Sequence, residues 1–267
     1  MSTLKILFLG DIFAKIGRQA VIKLMPKLKK EYEPDLVIAN AENLAHGKSI
    51  TEVTIKEMQE AGIDYFTSGN HIWDKKDAFL LLNKKDSPVL RPANYPAGTM
   101  WHGEKIVQIG AKSILLINLV GRVFIREDFD DPFSAADKIL DKYKNQDIAA
   151  IIVDFHAEAT SEKRAMGFYL DGRVSGVIGT HTHVQTSDDQ ILPQGTAYIS
   201  DAGMIGAKNS VLGLDPKIII KNFLTQINEP GEIPEGGTCI LNGVYLEINP
   251  KTHLATKIER VWKEVDI

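Results

Sequence analysis

Short apolar runs that alternate with longer amphipathic stretches constrain the fold of this chain more than any other feature. Each run is rich in Ile, Val and Leu and ends in polar residues, and a helix-like pattern follows most of them. This alternation is the signature of an α/β fold. The runs span residues 4–10, 34–40, 63–69, 148–155 and 174–180.

The segments around these runs predict helices and further strands. Residues 18–32 carry apolar side chains at partly helical spacing and predict a helix with Pro26 as a local irregularity. Residues 49–62 predict a helix that starts at Ser49 or Thr51 and stops at Gly62. Alternating patterns with tight connections predict a second, more antiparallel sheet. Its strands would come from residues 104–121, 196–203, 238–250 and 253–262.

Composition predicts a soluble cytoplasmic protein. The 267 residues contain no evident linker, so residues 1–267 are expected to form a single domain. The net charge of -4 argues against a broad basic surface that binds duplex DNA. The single cysteine, Cys239, fits a reducing compartment. No apolar stretch approaches the roughly 20 residues of a membrane helix, so we expect no membrane partner.

Side chains of metal-ligand type follow each of the five apolar runs. In an open α/β sheet, ligands bind outside the carboxyl ends of the strands, so residues that are far apart in sequence converge there. Four of the seven histidines fall at these positions. We therefore expect one crevice to be lined by Asp11, Glu42, Asn43, Asn70, His71, His156, His181 and His183.

The donor types indicate which metals such a crevice would hold. Imidazole, carboxylate and amide groups without a thiolate suit Mn, Fe, Zn or Ni. More than four ligands exceed the needs of one tetrahedral ion, and two ions that share a carboxylate can clamp both oxygens of a phosphoryl displacement. We expect two divalent or trivalent ions, with Fe or Mn favoured over Zn or Ni, and Glu42 as the bridge.

Other catalytic motifs do not fit this sequence. Residues 46–49 resemble the end of a P-loop, but Glu42 stands where that pattern requires glycine. The sequence has no G-x-S-x-G, H-E-x-x-H or C-x-x-C motif. The first turn lacks G-x-G-x-x-G, so a dinucleotide site is not favoured.

Five ordered blocks of this chain resemble the calcineurin-like metallophosphoesterase superfamily. They are "GD" at 10–11, "AEN" at 41–43, "GNH" at 69–71, "FHAE" at 155–158 and "GTHTH" at 179–183. The resemblance spans roughly residues 4–204 and implies a four-layer α-β-β-α sandwich. Its two mixed sheets would hold the metal site at the carboxyl ends of their strands. Two departures are Phe13, where the superfamily usually has histidine, and Glu42, where it has aspartate.

The same departures resemble one bacterial branch, the 2',3'-cyclic-nucleotide phosphodiesterases. So do "NAENLAHGKSIT", "GNHIWD", "DFHAEATSEK" and "GTHTHVQT". The resemblance implies one ion held by Asp11, Glu42 and His183, with Asn43 as the candidate for the missing ligand. It implies a second ion held by Glu42, Asn70, His156 and His181.

This resemblance implies a phosphodiesterase for 2',3'-cyclic nucleotides or related small phosphodiesters. We hypothesise that a metal-bridging hydroxide attacks phosphorus and that His71 protonates the departing alkoxide; alternatively, His71 orients substrate or water. A phosphomonoesterase on the same metals is an alternative function. So is a metal-stabilised regulatory or RNA-interaction protein with secondary activity. Homo-oligomerisation is left open.

Further polar and aromatic residues have two interpretations each. Trp73 could stack on a base, although packing in the core is the more common role. Glu158 and Asp201 could orient the imidazoles of the metal ligands. Three arginines could reach substrate phosphate or form surface salt bridges: Arg122, Arg126 and Arg164.

Overall fold

In the part of the chain that the structure describes, two mixed β-sheets of six strands each form the centre of the fold. The structure is a computed structural model that describes residues 3–267. In spatial order, the first sheet contains β12 (Ala255–Asp266), β11 (Thr238–Ile248), β10 (Met204–Ala207), β1 (Leu4–Ile12), β2 (Leu36–Asn40) and β3 (Tyr65–Thr67). The second contains β4 (Glu104–Ile109), β5 (Lys112–Val120), β6 (Ala150–His156), β7 (Gly176–Thr180), β9 (Ala197–Ile199) and β8 (Gln190–Ile191).

Helices cover the outer face of each sheet. One apolar core joins the first sheet to helices α1 to α3, a second lies between the two sheets, and a third joins the second sheet to α4 and α5. The predicted four-layer α-β-β-α sandwich with two mixed sheets is therefore confirmed. The helices are α1 (Ala14–Tyr32), α2 (Glu52–Ala61), α3 (Lys76–Leu82), α4 (Pro132–Tyr143), α5 (Thr160–Tyr169) and α6 (Pro216–Thr225).

The two predicted helices form where the apolar spacing and the capping residues indicate. Helix α1 continues through Pro26, which lies on its exposed side. Helix α2 starts after Thr51, whose hydroxyl accepts a hydrogen bond from the backbone N–H of Thr54, and Gly62 ends it with a φ of 106°. A left-handed φ of this kind is readily adopted by glycine. Ser49, the alternative cap, instead donates its hydroxyl to the carbonyl of Ile72.

The prediction of a separate, more antiparallel sheet is wrong. The antiparallel hairpin β4–β5 continues the second sheet because β5 pairs in parallel with β6. The hairpin β11–β12 joins the first sheet because β11 pairs with β1, where Leu4 lies opposite Ile248. Residues Val244, Leu246 and Ile248 are buried between the sheets. Strand patterns alone do not identify the partner strand, whereas burial of this apolar face does.

Parallel pairing brings the carboxyl ends of the central strands together. β1, β2 and β3 are mutually parallel in the first sheet, and β5, β6, β7 and β9 are parallel in the second. The segments that follow these strands therefore meet at one edge of the sandwich. Within the described part of the chain, each helix is too short or too polar to cross a bilayer.

Candidate metal centre

Three predicted ligands from different strands meet at this edge. Glu42 follows β2, His156 ends β6 and His181 follows β7. Glu42 Oε1 lies 3.2 Å from His156 Nε2, and His156 Nε2 lies 3.0 Å from His181 Nδ1. One ligand atom from each residue lies within 4.8 Å of the other two, so the three could hold one ion.

A second group of candidate ligands lies next to the first. Asp11 Oδ1 lies 3.9 Å from His183 Nε2, and Asn43 Nδ2 lies 3.1 Å from the same nitrogen. Asn43 also donates from Nδ2 to Glu42 Oε1 at 3.3 Å. Glu42 therefore contacts residues of both groups, as a bridging carboxylate would.

Two buried oxygens at this edge show that the residues fit a bound cation. Asp11 Oδ1 and Asn70 Oδ1 have no hydrogen-bond partner within residues 3–267. A buried oxygen without a partner costs about 1–3 kcal/mol, and more when it is charged. Carboxylate, amide and imidazole donors together match the preferences of borderline and hard transition metals.

The backbone at Gly69 makes room for this arrangement. A Cβ atom at this position would lie 2.2 Å from Glu42 Oε2 and 2.3 Å from His156 Nε2. Both distances are far shorter than van der Waals contact, so only a residue without a side chain allows the loop before Asn70 to approach the two ligands.

The charges of the ligands are strongly coupled. Burial disfavours a charged imidazole at His156, but the carboxylate of Glu42 outweighs it and raises the pKa of His156 to about 9. Burial likewise opposes the charge of Glu42, and His156 reverses this effect and lowers the pKa of Glu42 to about 2. Burial and the nearby charge of His156 lower the pKa of His181 to about 3. Without metal, the proton on His156 thus balances Glu42, and a bound cation would displace it.

Residues beneath the site orient His156. Its Nδ1 lies 2.9 Å from the hydroxyl of Thr180, which donates to Asp154 Oδ1 at 2.7 Å. Asn40 donates to the other oxygen of Asp154 at 3.0 Å. This buried chain turns Nε2 of His156 towards Glu42, and such outer partners commonly set the orientation of metal-binding imidazoles.

A buried ion pair holds the loop that carries His181 and His183. Lys163 Nζ lies 2.6 Å from Asp201 Oδ2 and donates to the carbonyl of Thr180 at 2.8 Å. Asp201 also accepts hydrogen bonds from the backbone N–H and the hydroxyl of Thr182 at 3.0 and 2.7 Å. Asp201 therefore fixes the loop rather than an imidazole, contrary to one interpretation of the sequence. Lys163 lies in a helix with no sequence signal for this role.

Three other polar candidates, His71, Glu158 and Arg122, lie in the segments that follow β3, β6 and β5. The backbone N–H of His71 donates to Glu42 Oε2 at 3.2 Å, and its ring Nδ1 lies 3.2 Å from Asp74 Oδ2. Glu158 Oε2 lies 3.2 Å from His181 Nε2, which agrees with an orienting role. Arg122 forms a salt bridge with Asp131 at 3.3 Å.

Two further residues serve packing and surface contacts. Arg164 NH1 lies 4.0 Å from Asp188 Oδ2, and its guanidinium also covers the ring of Tyr198. Trp73 packs against the rings of Phe79 and Tyr95. Trp73 therefore has the packing role that is more common for such an aromatic residue.

The helix-flanked pair of mixed sheets and the histidine and carboxylate cluster at its strand ends define a metallophosphoesterase. The sequence profile of the YmdB-like protein family matches residues 7–261. The chain belongs to this family. The predicted superfamily and its bacterial branch are thereby confirmed.

Known proteins from several bacteria resemble this chain. The 2',3'-cyclic-nucleotide 2'-phosphodiesterase of Bacillus subtilis is 46% identical over 259 residues, which cover 97% of this chain and 96% of the relative. A solved structure described as a novel phosphatase from Mycoplasma pneumoniae has a TM-score of 0.93 and 37% identity, covering 100% of this chain and 95% of that one. The 5'-nucleotidase precursor of Thermus thermophilus shares the fold alone, with a TM-score of 0.59, 11% identity and coverage of 99% and 55%.

Proposed function

We propose that this chain is a dinuclear metal-dependent phosphodiesterase that hydrolyses 2',3'-cyclic nucleotides or related phosphodiesters. The observation that carries the proposal is the meeting of Asp11, Glu42, His156, His181 and His183 at the strand ends, in a sandwich shared with metallophosphoesterases. The close similarity to a relative named as a 2',3'-cyclic-nucleotide 2'-phosphodiesterase supports the substrate class.

The chain's own residues supply two ligand sets. Asp11, Glu42, His183 and Asn43 would hold one ion, and Glu42, Asn70, His156 and His181 would hold the other. Two such ions, when bound, supply positive charge for the phosphate oxygens and lower the pKa of coordinated water. The mixed oxygen and nitrogen donors suit Fe or Mn, and Zn or Ni are alternatives.

Hydrolysis of the substrate adds one water molecule across a P–O bond. In a 2',3'-cyclic nucleotide, oxygen from water bonds to phosphorus, the bond from phosphorus to O2' breaks, and O2' gains a proton. His71 is our candidate for the donor of that proton. Its Nδ1 faces Asp74, so the ring is oriented with Nε2 available to the leaving oxygen.

Charge and composition support a small-molecule substrate in a reducing compartment. With a net charge of -4, the protein is not expected to have the extended basic surface that binds duplex DNA. The phosphate of a substrate would instead be held locally by the metals. The single cysteine, Cys239, is buried and fits the cytoplasm.

Metal content and turnover, measured together, test the proposal. We expect the purified protein to contain close to two transition-metal ions per chain and to hydrolyse 2',3'-cAMP faster than p-nitrophenyl phosphate. Asp11→Asn should lower both metal content and turnover, because the buried oxygen that lacks a partner loses its charge. Asp141→Asn, which alters an exposed salt bridge to Lys144, is the matched control and should change neither.

Three results would contradict the proposal in different ways. Faster turnover of the monoester would favour a phosphomonoesterase, in line with the Mycoplasma structure described as a phosphatase. Bound metal without hydrolysis of either ester would favour a regulatory or RNA-interaction protein. If the active protein contains no bound metal, the proposed metal centre does not exist.

A further inference from the structure

A cavity of about 370 Å³ opens directly beside the candidate metal centre. His183 forms part of its wall, so the cavity borders one of the proposed metal ligands. Strands β10, β11 and β12 and the loops after β7 and β10 supply the rest of the lining. The volume is within the range of pockets that bind small molecules.

The β11–β12 hairpin contributes one aromatic and one amide side chain to this cavity. Asn242 and Trp262 lie directly opposite each other in the antiparallel register, so their side chains share one face of the sheet. Trp262 is 52% exposed, and Val184 and Leu212 are also exposed at the same cavity. An exposed indole beside aliphatic groups offers a surface on which a planar ring can stack.

The basic residues of the cavity already have anionic partners. Lys208 forms a salt bridge with Glu264, and its Nζ lies 5.6 Å from the centre of the Trp262 ring. Arg260 Nε lies 2.9 Å from Asp189 Oδ1. The cavity is therefore poorly suited to a second anion, and an uncharged planar group matches its lining better.

Asn242 has an unsatisfied polar atom at this position. The residue is 2% exposed, and its Oδ1 has no hydrogen-bond partner in the described chain. Buried amide oxygens in folded proteins nearly always accept a hydrogen bond, from protein, water or ligand. The oxygen is itself buried, so a ligand that donates a hydrogen bond from its edge would reach it after a rotation of the amide group, while the face of the ligand contacts Trp262.

We infer that this cavity binds the base of a nucleotide substrate, with Trp262 stacking on its face and Asn242 hydrogen-bonding to its edge. Nucleobases combine a flat aromatic ring with amino or imino donors along one edge, which are the two features that the cavity recognises. The inference rests on the proposed function, because the phosphate of the same substrate would lie at the metal ions beyond His183.

Selectivity for a substrate with a base over the same substrate without one tests the inference. The two substrates are 2',3'-cAMP and 1-O-methylribose 2',3'-cyclic phosphate, and kcat/KM is measured for each. Stacking on an aromatic residue is worth about 1–3 kcal/mol per base, so Trp262→Ala should lower kcat/KM for 2',3'-cAMP about 5-fold to 150-fold. The value for the abasic substrate should stay unchanged.

Further variants separate recognition from folding. Trp262→Phe keeps an aromatic face and should restore most of the selectivity, and Asn242→Ala should lower it. Phe168→Ala is the matched control, because Phe168 is 51% exposed but lies in the last turn of α5, and it should leave both substrates unaffected. Calorimetric titration of metal-free protein with adenosine gives a second readout, in which Trp262→Ala should weaken binding relative to the unaltered chain.

The outcomes distinguish this inference from the proposed function. If the unaltered protein hydrolyses neither substrate, the proposed function is contradicted. Hydrolysis of both substrates with equal kcat/KM, or unchanged selectivity in Trp262→Ala and Asn242→Ala, would overturn the base-binding site while leaving the phosphodiesterase intact.

Discussion

Asn70 and His71 are neighbours in the "GNH" motif, but their side chains have different environments. The amide oxygen of Asn70 is buried without a hydrogen-bond partner in the described chain, whereas the side chain of His71 is about one third exposed and faces Asp74. The backbone N–H of His71 also holds Glu42. A side-chain change at His71 therefore preserves this backbone contact and should leave the metal ligands in place.

His71→Ala tests whether the imidazole protonates the leaving oxygen. We expect kcat to fall by about 10²–10⁴-fold, the usual contribution of general acid catalysis, with metal content unchanged. Turnover of 2',3'-cAMP and elemental analysis of the same sample measure both effects. His253→Ala, in the exposed turn between β11 and β12, is the control and should retain full activity. A normal kcat in His71→Ala would exclude the role of general acid.

At the scale of elements, α5 is coupled to the loop after β7. Lys163 reaches from this helix to Asp201 and Thr180, and both partners belong to the segments that present or follow the histidine pair. His181 and His183 have φ values of 101° and 63°, which residues other than glycine rarely adopt. The buried ion pair therefore stabilises a backbone conformation that is itself unfavourable.

Removing one partner of this ion pair should destabilise the fold. Lys163→Met leaves Asp201 buried without its cation and should lower the free energy of unfolding by about 3–5 kcal/mol, as measured by urea denaturation. The double variant Lys163→Met, Asp201→Asn removes both charges and should recover part of this loss. Lys144→Met, which breaks an exposed pair with Asp141, should cost less than about 1 kcal/mol. Equal effects of the two lysine changes would contradict a structural role for the buried pair.

At the scale of the whole molecule, Cys239 reports on global unfolding. It is the only cysteine of the sequence, and it is fully buried where β11 pairs with β10 and β12. Burial raises the pKa of its thiol to about 11. Since the thiolate is the nucleophile, the folded protein presents neither an accessible nor an ionised sulfur near neutral pH.

Alkylation of Cys239 by iodoacetamide should follow unfolding. At pH 8, labelling of the folded chain should be roughly a thousandfold or more slower than that of the urea-unfolded chain, because only a small unfolded fraction reacts. The unfolded thiol ionises near its ordinary pKa, so stability should decrease as the pH rises from about 8.5 towards 11. Mass spectrometry follows the first effect and urea denaturation the second. Rapid labelling of the folded chain would contradict the burial of this sulfur.

The sequence by itself determined the α/β class, the strands that precede the site and the residue types placed at their ends. Some signals are local: apolar alternation, capping residues such as Thr51, and short motifs. They can be recognised in the sequence without knowing what each segment packs against. The same reasoning identified Glu42 as the candidate bridge, and in the structure Glu42 contacts a residue of each group of candidate ligands.

Only the tertiary structure decided which sheet each hairpin joins and which residues support the site. The β11–β12 hairpin joins the first sheet because its apolar face is buried between the two sheets. Lys163 and Trp262 have no local signal, because their roles depend on partners that are far away in sequence. Burial, close approach and shared cavities are properties of packed surfaces, so they arise when the chain has folded.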